Sequence, residues 1–261
     1  MFSSFMLNSW IVATIVAATA GLVGFFVVIR GASFAAHALP LSAFPGAAAA
    51  ALLGVNEIAG LVGFAALGVL GINGFSRRGR PEVATALTLV LLLGVGTLLL
   101  SQSRDDAQLV YGLLFGQVLG VSRAEIVPIA ALSAAASLAT LMLLRPLLLS
   151  AVSPELAQAR GVAPGRIDIA FLVIMALAET IALPVVGALL VFSLMVGPAS
   201  AARNLTDRPW LGLALSVGLS VVTAWLAIAL AYQTNWPIGF FVGGLGALAY
   251  AVGRAVRGAK S

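Results

Sequence analysis

The chain has 261 residues, 61% of them hydrophobic and only 9% charged, with a formal net charge of +5. A soluble domain carries about 25% charged residues, so a soluble fold is excluded. At ~20 apolar residues per crossing, the length holds roughly eight to ten membrane spans and no folded domain outside the membrane.

Cysteine is absent, and His37 and Lys260 are the single histidine and lysine. Thiolate chemistry and cysteine metal sites are thereby excluded, and so is a Walker A loop, G-x-x-x-x-G-K-[ST]. Transport driven by ATP would need an ATPase on another chain. The basic residues lie in short loops between apolar runs, which is a pattern of membrane orientation and not of nucleic-acid binding.

Residues 1–8 hold no Lys or Arg before the first apolar run, 9–29, so that run is expected to be a retained helix and not a signal peptide. Arg30 follows it, which places the N-terminus outside and Arg30 at the cytoplasmic face. Runs 32–53 and 55–73 end at the basic stretch FSRRGRPE, 75–82. Run 83–100 crosses outward to SQSRDDAQ, 101–108. Segment 109–121 is too short to cross at about 1.5 Å per residue and is expected to be re-entrant or peripheral.

Run 126–144 returns to Arg145. Within the following loop, 150–168, Ser153-Pro154-Glu155 reads as N-cap, first-turn proline and acidic first turn, and Gly161 as a C-terminal stop. A short cytoplasmic helix over 154–160 is expected there. Runs 169–183 and 185–202 form a pair joined near Pro184. Runs 211–232 and 238–253 complete an all-α polytopic transmembrane helix bundle, a single membrane domain of about nine crossings, N-out and C-in. Twelve of the 14 basic residues then fall inside, with Arg104 and Arg123 outside.

Gly60, Gly63, Gly68 and Gly71 are expected on one close-packing helix face, and Gly239, Gly243 and Gly244 on another. In RGASFAAHALPLSAFPG, 30–46, Ser33 lies one turn before His37, and Pro40 and Pro45 are expected to break the helix. A broken polar helix beside a histidine marks a candidate translocation path, with Pro40, Pro45 and Gly46 along it. Imidazole ligates Zn²⁺, Mn²⁺ or Fe²⁺, and a two-fold axis would bring two His37 together. Glu179 is the acid well inside an apolar run, either a functional carboxylate or the partner of a neighbouring helix break.

Several stretches together resemble the permease subunits of the zinc/manganese/iron ABC importers, the ABC-3 family. They are VVIRGASFAAHALPLSAFPG at 27–46, LFGQVLGVS at 114–122, SPELAQARGV at 153–162 and VVGALLVFSLMVGPASAARNL at 185–205, closed by TNWPIG at 234–239. The resemblance implies a homodimer in the cell (inner or plasma) membrane, surrounded by lipid. It receives a divalent metal from an extracytoplasmic solute-binding protein and is powered by ATP on a cytoplasmic ATPase subunit. No tightly bound cofactor is implied; the metal is cargo, zinc first, then manganese or iron.

The resemblance also makes Pro154, Glu155, Leu156, Ala157, Gln158, Ala159, Arg160 and Gly161 the coupling helix that seats in the ATPase. Members often carry an Asp-x-x-x-His metal station before the Pro-Gly. Aligned without gaps on Pro45-Gly46, the aspartate position is His37 and the histidine position is Leu41. With one gap the pair becomes Ser33 and His37. His37, Ser33 and Glu179 are the candidate metal residues. Two other readings are a proton-coupled secondary transporter using Glu179 and His37, and a cobalamin- or siderophore-type permease. An intramembrane enzyme is disfavoured, because Ser33 and His37 lack an oxyanion hole.

Overall fold

Proline opens four of the helices at the first position, where its missing N–H has no intrahelical partner to lose. The computed structural model describes residues 4–76, 80–102 and 122–259. Its elements are α1 (Ser4–Ile29), α2 (Ser33–Leu53), α3 (Glu57–Ser76), α4 (Pro81–Leu100), α5 (Arg123–Met142), α6 (Leu144–Val152), α7 (Pro154–Ala159), α8 (Pro164–Val186), α9 (Ala188–Leu205), α10 (Pro209–Thr234) and α11 (Ile238–Gly258). Among the described residues every element is helical. Seven helices (α1 to α5, α10 and α11) are long and apolar enough to cross a membrane. The expected re-entrant segment, 109–121, lies outside the described residues, as do the loop residues 77–79 and 103–108.

Helix α1 is the axis of the bundle. Residues 19–27 are buried without interruption, so every face of its second half is covered, as expected of a helix apolar all round. It packs on α5, α8, α9 and α10, while α2 packs on α3, α4, α8 and α9. Buried hydroxyls stitch these contacts. Ser216 Oγ donates to the Gly21 carbonyl at 2.6 Å, and Ser220 Oγ to the Leu194 carbonyl at 3.0 Å. Phe26 sits edge-on to Phe25 and Phe171, with ring centroids 5.4 and 6.5 Å away. Large apolar side chains such as Leu53, Leu70, Val90 and Val127 point outward, the arrangement suited to lipid.

Four sequence expectations are corrected. First, α2 is unbroken: it runs through Pro40 and Pro45. Both prolines lie in a stretch buried against neighbouring helices, and Ser42 Oγ donates to the Ala38 carbonyl at 2.8 Å, so packing offsets the hydrogen bonds the prolines withhold. Second, the break expected near Pro184 falls at Gly187, whose φ of 84° and ψ of 152° suit a residue without Cβ.

Third, the loop expected over 150–168 is mostly helical. Leu143 ends α5, and α6 follows at once with Leu144, Leu147 and Ser150 buried, three residues apart. Fourth, the glycine faces are narrower than expected. A Cβ at Gly60 or Gly71 would meet Gly46 or Thr88, and Gly68 lies against Leu39, but Gly63 faces open space. At 100° per residue Gly63 and Gly68 lie about 140° apart on the helix, too far for one contact face. On α11, Gly239 touches Leu190 and Gly246 and Gly253 touch α9, whereas Gly243 and Gly244 face open space.

Candidate functional site

Helix α7 is a short element held by both its ends. Ser153 is its N-cap, with Oγ accepting from the Leu156 amide at 3.2 Å, and Pro154 and Glu155 fill the first turn. At the other end Arg160 is the C-cap and Gly161 adopts φ 77°. The Gly161 amide donates to the Gln158 carbonyl and the Val162 amide to the Ala157 carbonyl, both at 2.9 Å, the paired bonds of a glycine-terminated helix. Ala157 is buried and pins the helix to the bundle, while Glu155, Leu156, Gln158, Ala159 and Arg160 are exposed. The sequence expectation for this helix therefore holds to within one residue. Ser153→Ala should cost about 1 kcal/mol of local stability. Hydrogen exchange would read this as faster amide exchange over 154–159 with the spanning helices unchanged.

The turn after α1 passes through Gly31, at φ 65°, into α2. His37 lies one turn after Ser33 and packs edge-on against Phe192 of α9, with centroids 5.0 Å apart and planes at 68°. Its Nδ1 is buried and without a hydrogen-bond partner. Ser33 is half-buried. Pro40, Pro45 and Gly46 are buried, and Pro45 and Gly46 face neighbouring helices: a Cβ at Gly96 of α4 would stand 2.7 Å from Pro45 Cγ, and one at Gly46 would stand 2.1 Å from the Gly60 carbonyl oxygen. These two residues hold α2 against α3 and α4.

Glu179 lies about 22 Å along α8 from its first residue, at ~1.5 Å rise per residue. It is 1% exposed, and neither carboxyl oxygen has a hydrogen-bond partner. An unpaired carboxyl in an apolar interior costs several kcal/mol, at least about 1–3 by mutational measures. No hydrogen bond or ion pair joins Glu179 to His37. Among the described residues no three His, Asp or Glu side chains come together as a metal cage. Sequence reasoning missed Phe192 as the companion of His37 and the set of contacts around Arg30. The family motif that places an arginine at the end of helix one was the signal available for the second.

A family model described as the ABC 3 transport family matches residues 2–256. The chain belongs to the ABC 3 transport family. It is a permease subunit of a metal ABC transporter, a multi-pass protein of the cell membrane and not an enzyme. The permease is 27% identical over 237 residues to the manganese import system permease protein ScaB of Streptococcus parasanguinis, covering 90% of this chain and 84% of that one. It is also 27% identical over 223 residues to the manganese transport system membrane protein MntC of Halalkalibacterium halodurans, covering 85% and 76%. The solved structure of PsaBC from Streptococcus pneumoniae in complex with Fab shares the permease fold, with a TM-score of 0.87 at 22% identity, covering 99% of this chain and 96% of that one. Both curated relatives are named for manganese, and neither supports the order that placed zinc first.

Proposed function

We propose that this permease carries Mn²⁺ inward, as one of two identical membrane subunits. A cytoplasmic ATPase docks on α7 and a solute-binding protein delivers the ion outside. The observation that carries the reading is the family match over residues 2–256, with manganese named for relatives that span most of the chain. In this reading α8 and α9 join the seven apolar helices to make nine crossings, N-out and C-in. The cytoplasmic end is then the one bearing α7, whose exposed Leu156 gives a partner an apolar knob between polar neighbours.

His37 supplies a neutral imidazole to the ion, Ser33 a hydroxyl one turn earlier, and Glu179 a carboxylate. Imidazole, carboxylate and water are a donor set that suits Mn²⁺. A single subunit brings too few ligands together, and a two-fold partner doubles them.

The test is uptake into proteoliposomes holding permease, ATPase and binding protein. Radioactive manganese should accumulate only with ATP inside the compartment of the ATPase, and an ATPase unable to hydrolyse should abolish it. His37→Ala should lower uptake about 10- to 100-fold, the usual cost of disturbing a metal site. Uptake that follows a proton gradient without ATP would defeat the reading in favour of a secondary transporter. Preference for zinc over manganese in competition would return the order to the one expected from sequence.

A further inference from the structure

We propose that Arg30 is the positioning residue through which movement of α7 reaches α2, the helix that carries His37. The inference rests on the import reading, in which α7 receives the ATPase. Arg30 follows the last residue of α1, and its side chain is 9% exposed. Its guanidinium reaches two helices at once. One nitrogen donates to the Leu147 carbonyl at 3.1 Å and to Ser150 Oγ at 2.7 Å, both on α6. The other pairs with Asp168 on α8, and the group lies 5.3 Å from the centre of the Phe171 ring, also on α8.

Helices α6 and α8 are the two flanks of α7 in sequence. Apart from buried Ala157, α7 presents mainly exposed residues, so a push on it is carried by those flanks. Arg30 ties both flanks to one turn. That turn is stiff: the Arg30 amide donates to the Phe26 carbonyl at 3.0 Å, and the Ala32 amide to the Val27 carbonyl at 2.9 Å. Helix α2 begins at Ser33, three residues past Arg30, and His37 follows one turn later.

A lysine could keep the ion pair but not the rest. The planar guanidinium fork serves a carbonyl, a hydroxyl and a carboxylate together while stacking on an aromatic ring, and a point-charge ammonium does not. Asp168, 61% exposed, remains partly in water, so the arrangement does not depend on burying an acid. It is a three-helix tie between α1, α6 and α8.

The experiment compares wild type, Arg30→Gln, Arg30→Lys and Asp168→Asn in the assembled transporter in proteoliposomes, measuring manganese uptake and ATP hydrolysis in the same vesicles. Arg30→Gln should still co-purify with the ATPase and hydrolyse ATP, while uptake per ATP falls about tenfold, a typical coupling between two sites. Arg30→Lys should fall between the two, and Asp168→Asn should lose about two- to threefold, as expected for a partly exposed ion pair. Uptake per ATP unchanged in Arg30→Gln overturns the proposal, and so does a loss explained wholly by failure to bind the ATPase.

If Arg30→Gln is not recovered folded, the double variant Ser150→Ala/Asp168→Asn removes two partners of the arginine and is judged by the same ratio. The cysteine-free chain also allows spin labels at exposed Gln158→Cys and Leu53→Cys. Their separation should change on ATP binding in wild type and not in Arg30→Gln. An equal change in both, or none in wild type, overturns the tie. This distance is read without transport, so wild type that fails to import manganese defeats the import reading and leaves the tie to be judged on the labels.

Discussion

A single methyl group added at Gly24 should sharply lower recovery of the folded permease. Gly24 is on α1 where it crosses α9, and a Cβ there would stand 2.0 Å from the Met195 carbonyl oxygen, which is backbone and cannot swing aside. Overpacking typically costs about 1–3 kcal/mol, and a clash with immovable backbone lies at the upper end, a large share of total stabilities of about 5–15 kcal/mol. Gly46→Ala, with its Cβ 2.1 Å from the Gly60 carbonyl oxygen, should behave alike by separating α2 from α3. Gly63→Ala and Gly94→Ala are the controls: both positions face open space within helices, and alanine there should be neutral or stabilising by up to about 1 kcal/mol. Monodisperse yield in detergent and the thermal midpoint of purified protein check all four. Normal yield of Gly24→Ala would mean that α1 and α9 do not cross this closely.

Glu179→Leu should separate stability from transport. Both oxygens of the carboxyl are buried and unpartnered, so leucine removes a desolvation cost of about 1–3 kcal/mol and leaves a side chain of similar volume in an apolar setting. The thermal midpoint should therefore rise or hold. Manganese uptake should fall about 10- to 100-fold, because a carboxylate on the ion's route is gone. Glu179→Gln, which keeps the shape and the polarity, tells charge from hydrogen bonding; equal losses in both variants assign the role to the charge. A leucine variant that is both stable and fully active would show that Glu179 is only a tolerated burial.

The long helices and their order were legible because apolar runs of spanning length announce themselves by composition, and the capping residues around α7 are local signals needing no tertiary context. Ser153, Pro154 and Gly161 all act within one stretch of nine residues, and their structure followed. What the chain did not disclose depends on distant partners. Pro40 and Pro45 read as helix breakers because a lone helix would be broken by them; the walls of α3 and α4 that tolerate them lie elsewhere in the sequence. The glycine pattern on α3 suffered in the same way. Its spacing gave the faces, but Gly46, Leu39 and Thr88, supplied by other helices, decide which glycines are in contact. At the candidate site, His37 and Glu179 stood out as rare residue types. The Phe192 ring beside His37 and the four contacts of Arg30 rest on separations of more than a hundred residues, which no local pattern encodes.

The enclosure of α1 has a consequence for biosynthesis. The helix is made before the groups that cover it, Met195 and Ser216 among them, which are translated some 170 to 195 residues later. At about 5–20 residues per second, α1 waits roughly ten seconds or longer in the bilayer with its packing face open. During that interval lipid or an insertion chaperone must stand in for α9 and α10. Nascent chains stalled before residue 188 should therefore crosslink from α1 to such stand-ins, and chains released after residue 234 should not.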